Sequence, residues 1–171
     1  MNDVSPLRQS TVTPSRSLAA LFWRGLTTTR DPSVTVARVA LGAVLLPHGA
    51  QHLFGAFGGY GYEGTRDWMV STLGVPGPLA GLAIVLEVIA PLLLVVGAGG
   101  RYAAAWLALF LAVAACTHAK VGFFMNWLGN RAGEGFEYHL LALALAAVVV
   151  ARGSGAWSLD GLLSVRRARR R

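Results

Sequence analysis

His48 and His52 stand one helical turn apart, and that i, i+4 spacing puts both imidazoles on one face of a helix. Glu87, His118, Glu137 and His139 follow in later apolar stretches. Imidazole changes charge near neutral pH and both donates and accepts hydrogen bonds. A carboxyl group taken out of water must find a partner or become neutral. Together these groups suit proton exchange with a ligand whose oxygen atoms accept hydrogen bonds. Four histidines on facing helices could also ligate iron or zinc. The chain has no Cys-x-x-Cys-His and no His-Glu-x-x-His, however, and Cys116 is its single cysteine, so neither haem nor metal is expected. Nor is there a flavin, nicotinamide or iron–sulfur motif, and the glycine-rich run after residue 54 lacks the Gly-Lys-Ser/Thr of a phosphate loop.

The elements that must hold these side chains are four apolar stretches, since a helix needs roughly 20 apolar residues to cross hydrocarbon. The first, residues 34–53, is entered through Asp31-Pro32-Ser33 and ends in a glycine-rich run. The second, 79–96, follows Pro76-Gly77-Pro78 and stops at Gly97. The third, 102–119, begins almost at once, so the second and third form an antiparallel hairpin. The fourth, 136–151, is the shortest; Glu137 and His139 open it, so it must begin in protein or water. The expected fold is all-α: an antiparallel bundle of four transmembrane helices with short interfacial helices at both ends. Residues 1–33 form an N-terminal tail, 34–152 the membrane domain and 153–171 a basic tail.

Composition agrees with lipid as the solvent. Hydrophobic residues make up 54% of the chain, charged ones 13%, and the mean hydropathy is +0.54. A net charge of +7 would suit a nucleic-acid module, but the arginines gather at the chain ends and only one lysine occurs, so no nucleic-acid partner is expected. Of the Lys and Arg residues, 12 fall on one side of the expected spans and 3 on the other. By the positive-inside rule both termini are cytoplasmic, in the cell membrane, and the loops 54–77 and 120–135 face outward. Residues 1–17 read as a disordered tail, 18–26 as an interfacial stretch too short for a signal peptide, and 158–171 as an amphipathic surface helix held by its arginines to anionic lipid.

Helix arithmetic then places the polar groups. All but Glu87 map to the outer third of the membrane, with Glu87 about 12 Å deeper, as the floor of an outward-opening funnel. Pro91 and Pro47 free the carbonyls of Glu87 and Ala43, a hint of a lined cavity. Residues 137 and 139 point about 200° apart, and Glu137 is expected inward. His52 and His139 are either ligand groups or rings at headgroup level, and the sequence leaves open which of them faces the core; Arg38 is expected to snorkel to the membrane surface.

The run Pro47-His48-Gly49-Ala50-Gln51-His52-Leu53-Phe54-Gly55 resembles the first-helix signature of the DoxX family, usually His-Gly-x-x-Lys-Leu-Phe-Gly. Glu87, the His118-x-x-x-Gly122-Phe123-Phe124 run, Gly135-Phe136-Glu137-Tyr138-His139 and Trp157-Ser158-Leu159-Asp160 carry the resemblance over residues 34–161. His52 departs from it, replacing a fixed positive charge by one that titrates. The resemblance implies a four-helix membrane protein related to quinone-reducing thiosulfate oxidoreductase subunits and to a mycobacterial membrane complex with superoxide dismutase and a sulfurtransferase. DoxX-like relatives also include eukaryotic chaperones and cargo receptors, so the family supports fold more than activity.

The expected function is therefore a membrane subunit of a redox or thiol- and oxidative-stress system that binds a quinone or similar apolar ligand, with redox enzymes as partners. Glu87, Glu137 and His118 form the expected catalytic set. His48, His52, Gln51, His139 and Asn126 form the ligand-binding set. The alternatives are a non-catalytic chaperone or scaffold, in which the same polar groups hold the bundle together, and a b-type haem protein. Catalysis by the chain alone, homo-oligomerisation and the ligand's identity do not follow from the sequence.

Overall fold

A computed structural model describes residues 22, 23, 25–130 and 132–169, with side chains at all but 167 and 168. The tail 1–17 and most of the stretch 18–26 lie outside the described residues. Among these there are six α-helices and no strand: α1 (Pro32–Phe54), α2 (Gly61–Leu73), α3 (Gly77–Val96), α4 (Gly100–His118), α5 (Glu137–Arg152) and α6 (Leu159–Ala168).

Local chemistry sets the boundaries. Asp31 caps α1, its carboxylate accepting the Ser33 N–H at 2.9 Å and the Ser33 hydroxyl at 2.7 Å, with Pro32 in the first turn. These bonds hold the exposed Asp31 carboxyl below its ordinary range. Gly55 ends the helix at φ 69°, in the left-handed region that glycine enters without strain. Gly74 and Gly97 end α2 and α3 in the same way.

Helices α1, α3 and α4, of 23, 20 and 19 residues, are each long and apolar enough to cross a membrane. Helix α5, with 16 residues, is shorter. Helix α1 packs on α3 and α5, and α4 on α5 and α3, so the four form an antiparallel bundle. Leu41, Leu45, Leu94, Leu107, Leu111, Ala146 and Val149 fill its centre. The outer face is apolar as well, with Leu82, Leu109 and Leu141 about half or more exposed, as expected of a surface solvated by lipid.

The tightest seam is between α1 and α3. A Cβ on Gly42 would stand 2.8 Å from the Pro91 carbonyl oxygen, and one on Gly49 would collide with the carbonyl of Glu87. The carbonyl that Pro91 deprives of its helical partner is thus covered by a glycine of the facing helix. Helix α5 starts inside protein, its first N–H donating to the Phe123 carbonyl at 2.9 Å.

At the opposite end Arg38 corrects the expectation of snorkelling. It is 1% exposed, and its guanidinium donates to the carbonyls of Leu94 (2.5 Å), Val95 (2.7 Å), Ser154 (2.6 Å) and Trp157 (2.8 Å). The last turn of α3 leaves its carbonyls without helical donors, and Arg38 supplies them. Arg101 does the same for Val150 and Ala151 at the end of α5. Asp160, buried at the start of α6, accepts the N–H groups of Gly99 (2.8 Å) and Gly100 (3.1 Å) at the start of α4. Beyond any attraction of its arginines to lipid, the tail is thus fixed by a carboxylate at a helix N-terminus.

Candidate functional site

The seam at Gly49 sets the register of the polar groups. Helix α3 begins well beyond the end of α1, because α2 covers its first turns, and Glu87 therefore lies level with Gly49. It is not a floor 12 Å below the rim. That arithmetic assumed helices starting in one plane. His52, one turn from Gly49, instead reaches Glu87 directly, with Nδ1 and Oε2 2.6 Å apart. Glu87 is 2% exposed, and the His52 side chain keeps 35% of its surface open. His52 therefore belongs to the core, not to the interface alone. With Nδ1 held by the carboxylate, Nε2 is the nitrogen left to meet a ligand.

It meets a cavity of about 700 Å³. The cavity lies between α2, α3 and α4, under walls that include Met69, Leu79, Ala83, Phe110 and Val113. Polar groups are few: His52, His118, Thr65 and Trp106 are among them. The Thr65 hydroxyl and the Trp106 indole N–H are buried and have no hydrogen-bond partner among the described residues. Buried donors of this kind are rare in folded proteins and mark places where something else completes them.

The remaining expected residues divide. His48, one helical turn from His52, does not line the cavity; it is exposed, with its ring centroid 5.8 Å from that of Tyr138. His118 lines the cavity, donates from Nδ1 to the Glu134 carbonyl at 2.9 Å and has its ring 4.7 Å from that of His139. His139 is 8% exposed and faces the bundle, whereas Glu137 is partly exposed and accepts the Met125 N–H at 3.3 Å. The preference for Glu137 inward is thus reversed, because the loop 119–136 folds back over the start of α5 and gives the carboxylate a backbone donor there. Gln51 bonds the Phe57 carbonyl at 3.5 Å, and the Asn126 N–H donates to Glu134 at 2.7 Å. Neither residue lines the cavity.

Thr65 and Trp106 are not singled out by the sequence, and Tyr138 is read there only as part of the motif at residues 135–139. Trp106 reads there as one more apolar residue of a span, and Thr65 lies in a segment without clear periodicity. No cluster of three or more His, Cys, Asp or Glu side chains able to hold a metal ion occurs among the described residues.

No curated protein and no solved structure matches the chain. The DoxX family model matches residues 33–120, about half of the chain. The matched segment contains α1 to α4, and with them His48, His52, Glu87 and His118, but ends before α5. This apolar, all-helical membrane protein belongs to the DoxX family.

Proposed function

We propose that the chain crosses the cell membrane four times, with both termini cytoplasmic, and binds a quinone or a similar apolar carbonyl ligand as a subunit of a redox or thiol-stress system. The observation that carries this reading is the apolar cavity with His52 in its wall and Glu87 bonded to that ring from behind. A volume of about 700 Å³ is in the range of small-molecule pockets. It suits an aromatic head and the first part of a tail, and the rest of the tail would run along the lipid-facing residues of α4, such as Leu109 and Val113.

His52 Nε2 would bond one ligand oxygen while Glu87 fixes the ring and balances its charge when protonated. Rotation of the Thr65 hydroxyl would supply a second donor, and His118 a third group at the rim. The bound quinone would supply the two-electron chemistry, with electrons from a partner enzyme. The short α5 fits a fourth crossing because it starts within the folded loop 119–136. Arg38, Arg101 and Arg152 cluster at the end that the positive-inside rule places in the cytoplasm.

The test is purification in mild detergent from native membranes, followed by solvent extraction and mass spectrometry. Wild-type protein should carry quinone in near-stoichiometric amount, and His52→Ala and Glu87→Gln should lose it at unchanged yield. Wild-type protein free of quinone, and not stabilised by added decylubiquinone, would contradict the reading. Loss of the folded protein in both variants would favour a scaffold in which the pair is structural.

A further inference from the structure

On α5, outside the cavity lining, the Tyr138 hydroxyl and His139 Nδ1 are buried polar atoms that the proposed ligand site leaves unused. We propose that Tyr138, His139 and His118 form a hydrated proton route that joins Glu87 to the loop of residues 119–136 along α5, touching the cavity only at its rim, where His118 stands. This rests on the ligand-binding reading above. An apolar ligand in the cavity would cover the open face of His52, and protons exchanged by the His52–Glu87 pair would then need another way to water.

Three observations carry the route. First, the Tyr138 hydroxyl and His139 Nδ1 are buried without hydrogen-bond partners among the described residues. The Phe136 carbonyl lies near the His139 ring but outside hydrogen-bond geometry. Two such atoms in adjacent residues would each cost about 1–3 kcal/mol if left dry, and internal water removes that cost. Second, the rings form a series. Tyr138 and His139 are 5.4 Å apart between centroids, and His139 and His118 are 4.7 Å apart. On its other side Tyr138 meets the His48 ring at 5.8 Å, and His48 precedes Gly49, the residue pressed against the Glu87 carbonyl. Third, the far end reaches the surface. His118 Nδ1 donates to the carbonyl of exposed Glu134, which puts the ring hydrogen on Nδ1 and leaves Nε2 of the neutral ring as a proton acceptor.

Each transfer moves one proton and no electrons. A proton enters at His118, passes through water to His139 and the Tyr138 hydroxyl, and arrives at Glu87 as Glu87 or His52 gives one up. His48, exposed and beside Tyr138, shares a face of α1 with His52 and stands at the Glu87 end of this series.

Infrared spectroscopy of the detergent-purified full-length chain tests the route without any ligand. The Glu87 carboxylic band, assigned by its absence in Glu87→Gln at a pH where it is present, is followed after transfer to D2O. Ala114→Phe, which puts a ring into the cavity, should exchange as fast as wild type. Adding Tyr138→Phe or His139→Phe should slow exchange by at least about tenfold. Exchange abolished by Ala114→Phe alone, or unchanged by both added substitutions, would overturn the route. Should His139→Phe not fold, Tyr138→Phe removes one oxygen atom only and decides the question alone. Because no quinone is present, failure of quinone to bind and failure of the route are seen separately.

Discussion

The two ends of the bundle bury polar groups in opposite ways. At the arginine end, Arg38 is as buried as any leucine of the core, and its nitrogens donate to carbonyls of α3 and of the 153–158 turn. Asp160 is equally buried, with both carboxylate oxygens used. At the histidine end, Thr65, Trp106, Tyr138 and His139 each keep a buried polar atom without a partner among the described residues, against the Thr29 hydroxyl alone at the arginine end. Burial alone therefore does not distinguish structure from function here. Satisfaction does, because a polar group that completes the fold has its hydrogen bonds inside it, whereas one that serves a ligand or water holds them open.

The contrast is broken most severely at Arg38. Arg38→Leu removes the shared donor of four carbonyls, two at the end of α3 and two in the 153–158 turn, and should cost about 3–5 kcal/mol, seen as loss of the monodisperse peak in detergent. A variant that remains folded and stable would mean that the arginine end is not the structural one. Asp160→Asn keeps the shape but loses the charge at the α4 N-terminus, and should lower stability by roughly 1–2 kcal/mol in thermal unfolding. Glu87→Gln, although just as buried, should change stability by no more than about 1 kcal/mol, since the amide still reaches His52, and should abolish the stabilisation given by decylubiquinone.

Asp31 gives the smallest effect. Its folded-state pKa is depressed by the Ser33 bonds, so its contribution is present above the ordinary carboxylate range near pH 4 and is lost as pH falls through the lower folded value. Thermal unfolding of Asp31→Asn should therefore lack that acid-side slope.

Much of the fold was legible because lipid and glycine write plainly. The starts and stops of α1, α3, α4 and α5 lie within a few residues of the apolar runs and of the Gly and Pro residues that bound them. Helix α2 was not legible: Gly61 to Leu73 mixes Glu63, Arg66 and Asp67 with Trp68 and Met69 inside a glycine-rich surrounding, and reads as a loop.

The candidate site was legible in its residues but not in its pairings. His52 and Glu87 meet because of the α1–α3 register, and that register depends on how far α3 runs past α1. The available signal was Gly42 and Gly49, seven residues apart on α1, opposite the Glu87–Pro91 turn; they mark where the two backbones touch. Arg38 was misread because snorkelling is the usual solution for an arginine near a helix end, and the carbonyls that hold it come from segments more than fifty residues away.

Photoaffinity labelling tests most directly whether the open polar groups serve a ligand. The purified chain is irradiated with an azidoquinone, digested and mapped by mass spectrometry. Labels should fall on the cavity walls in α2 and α4, around Met69 and Phe110, compete with excess decylubiquinone, and disappear in His52→Ala. Labels spread over the lipid-facing surfaces of α1 and α5, unaffected by competitor or by His52→Ala, would contradict a quinone site in this cavity.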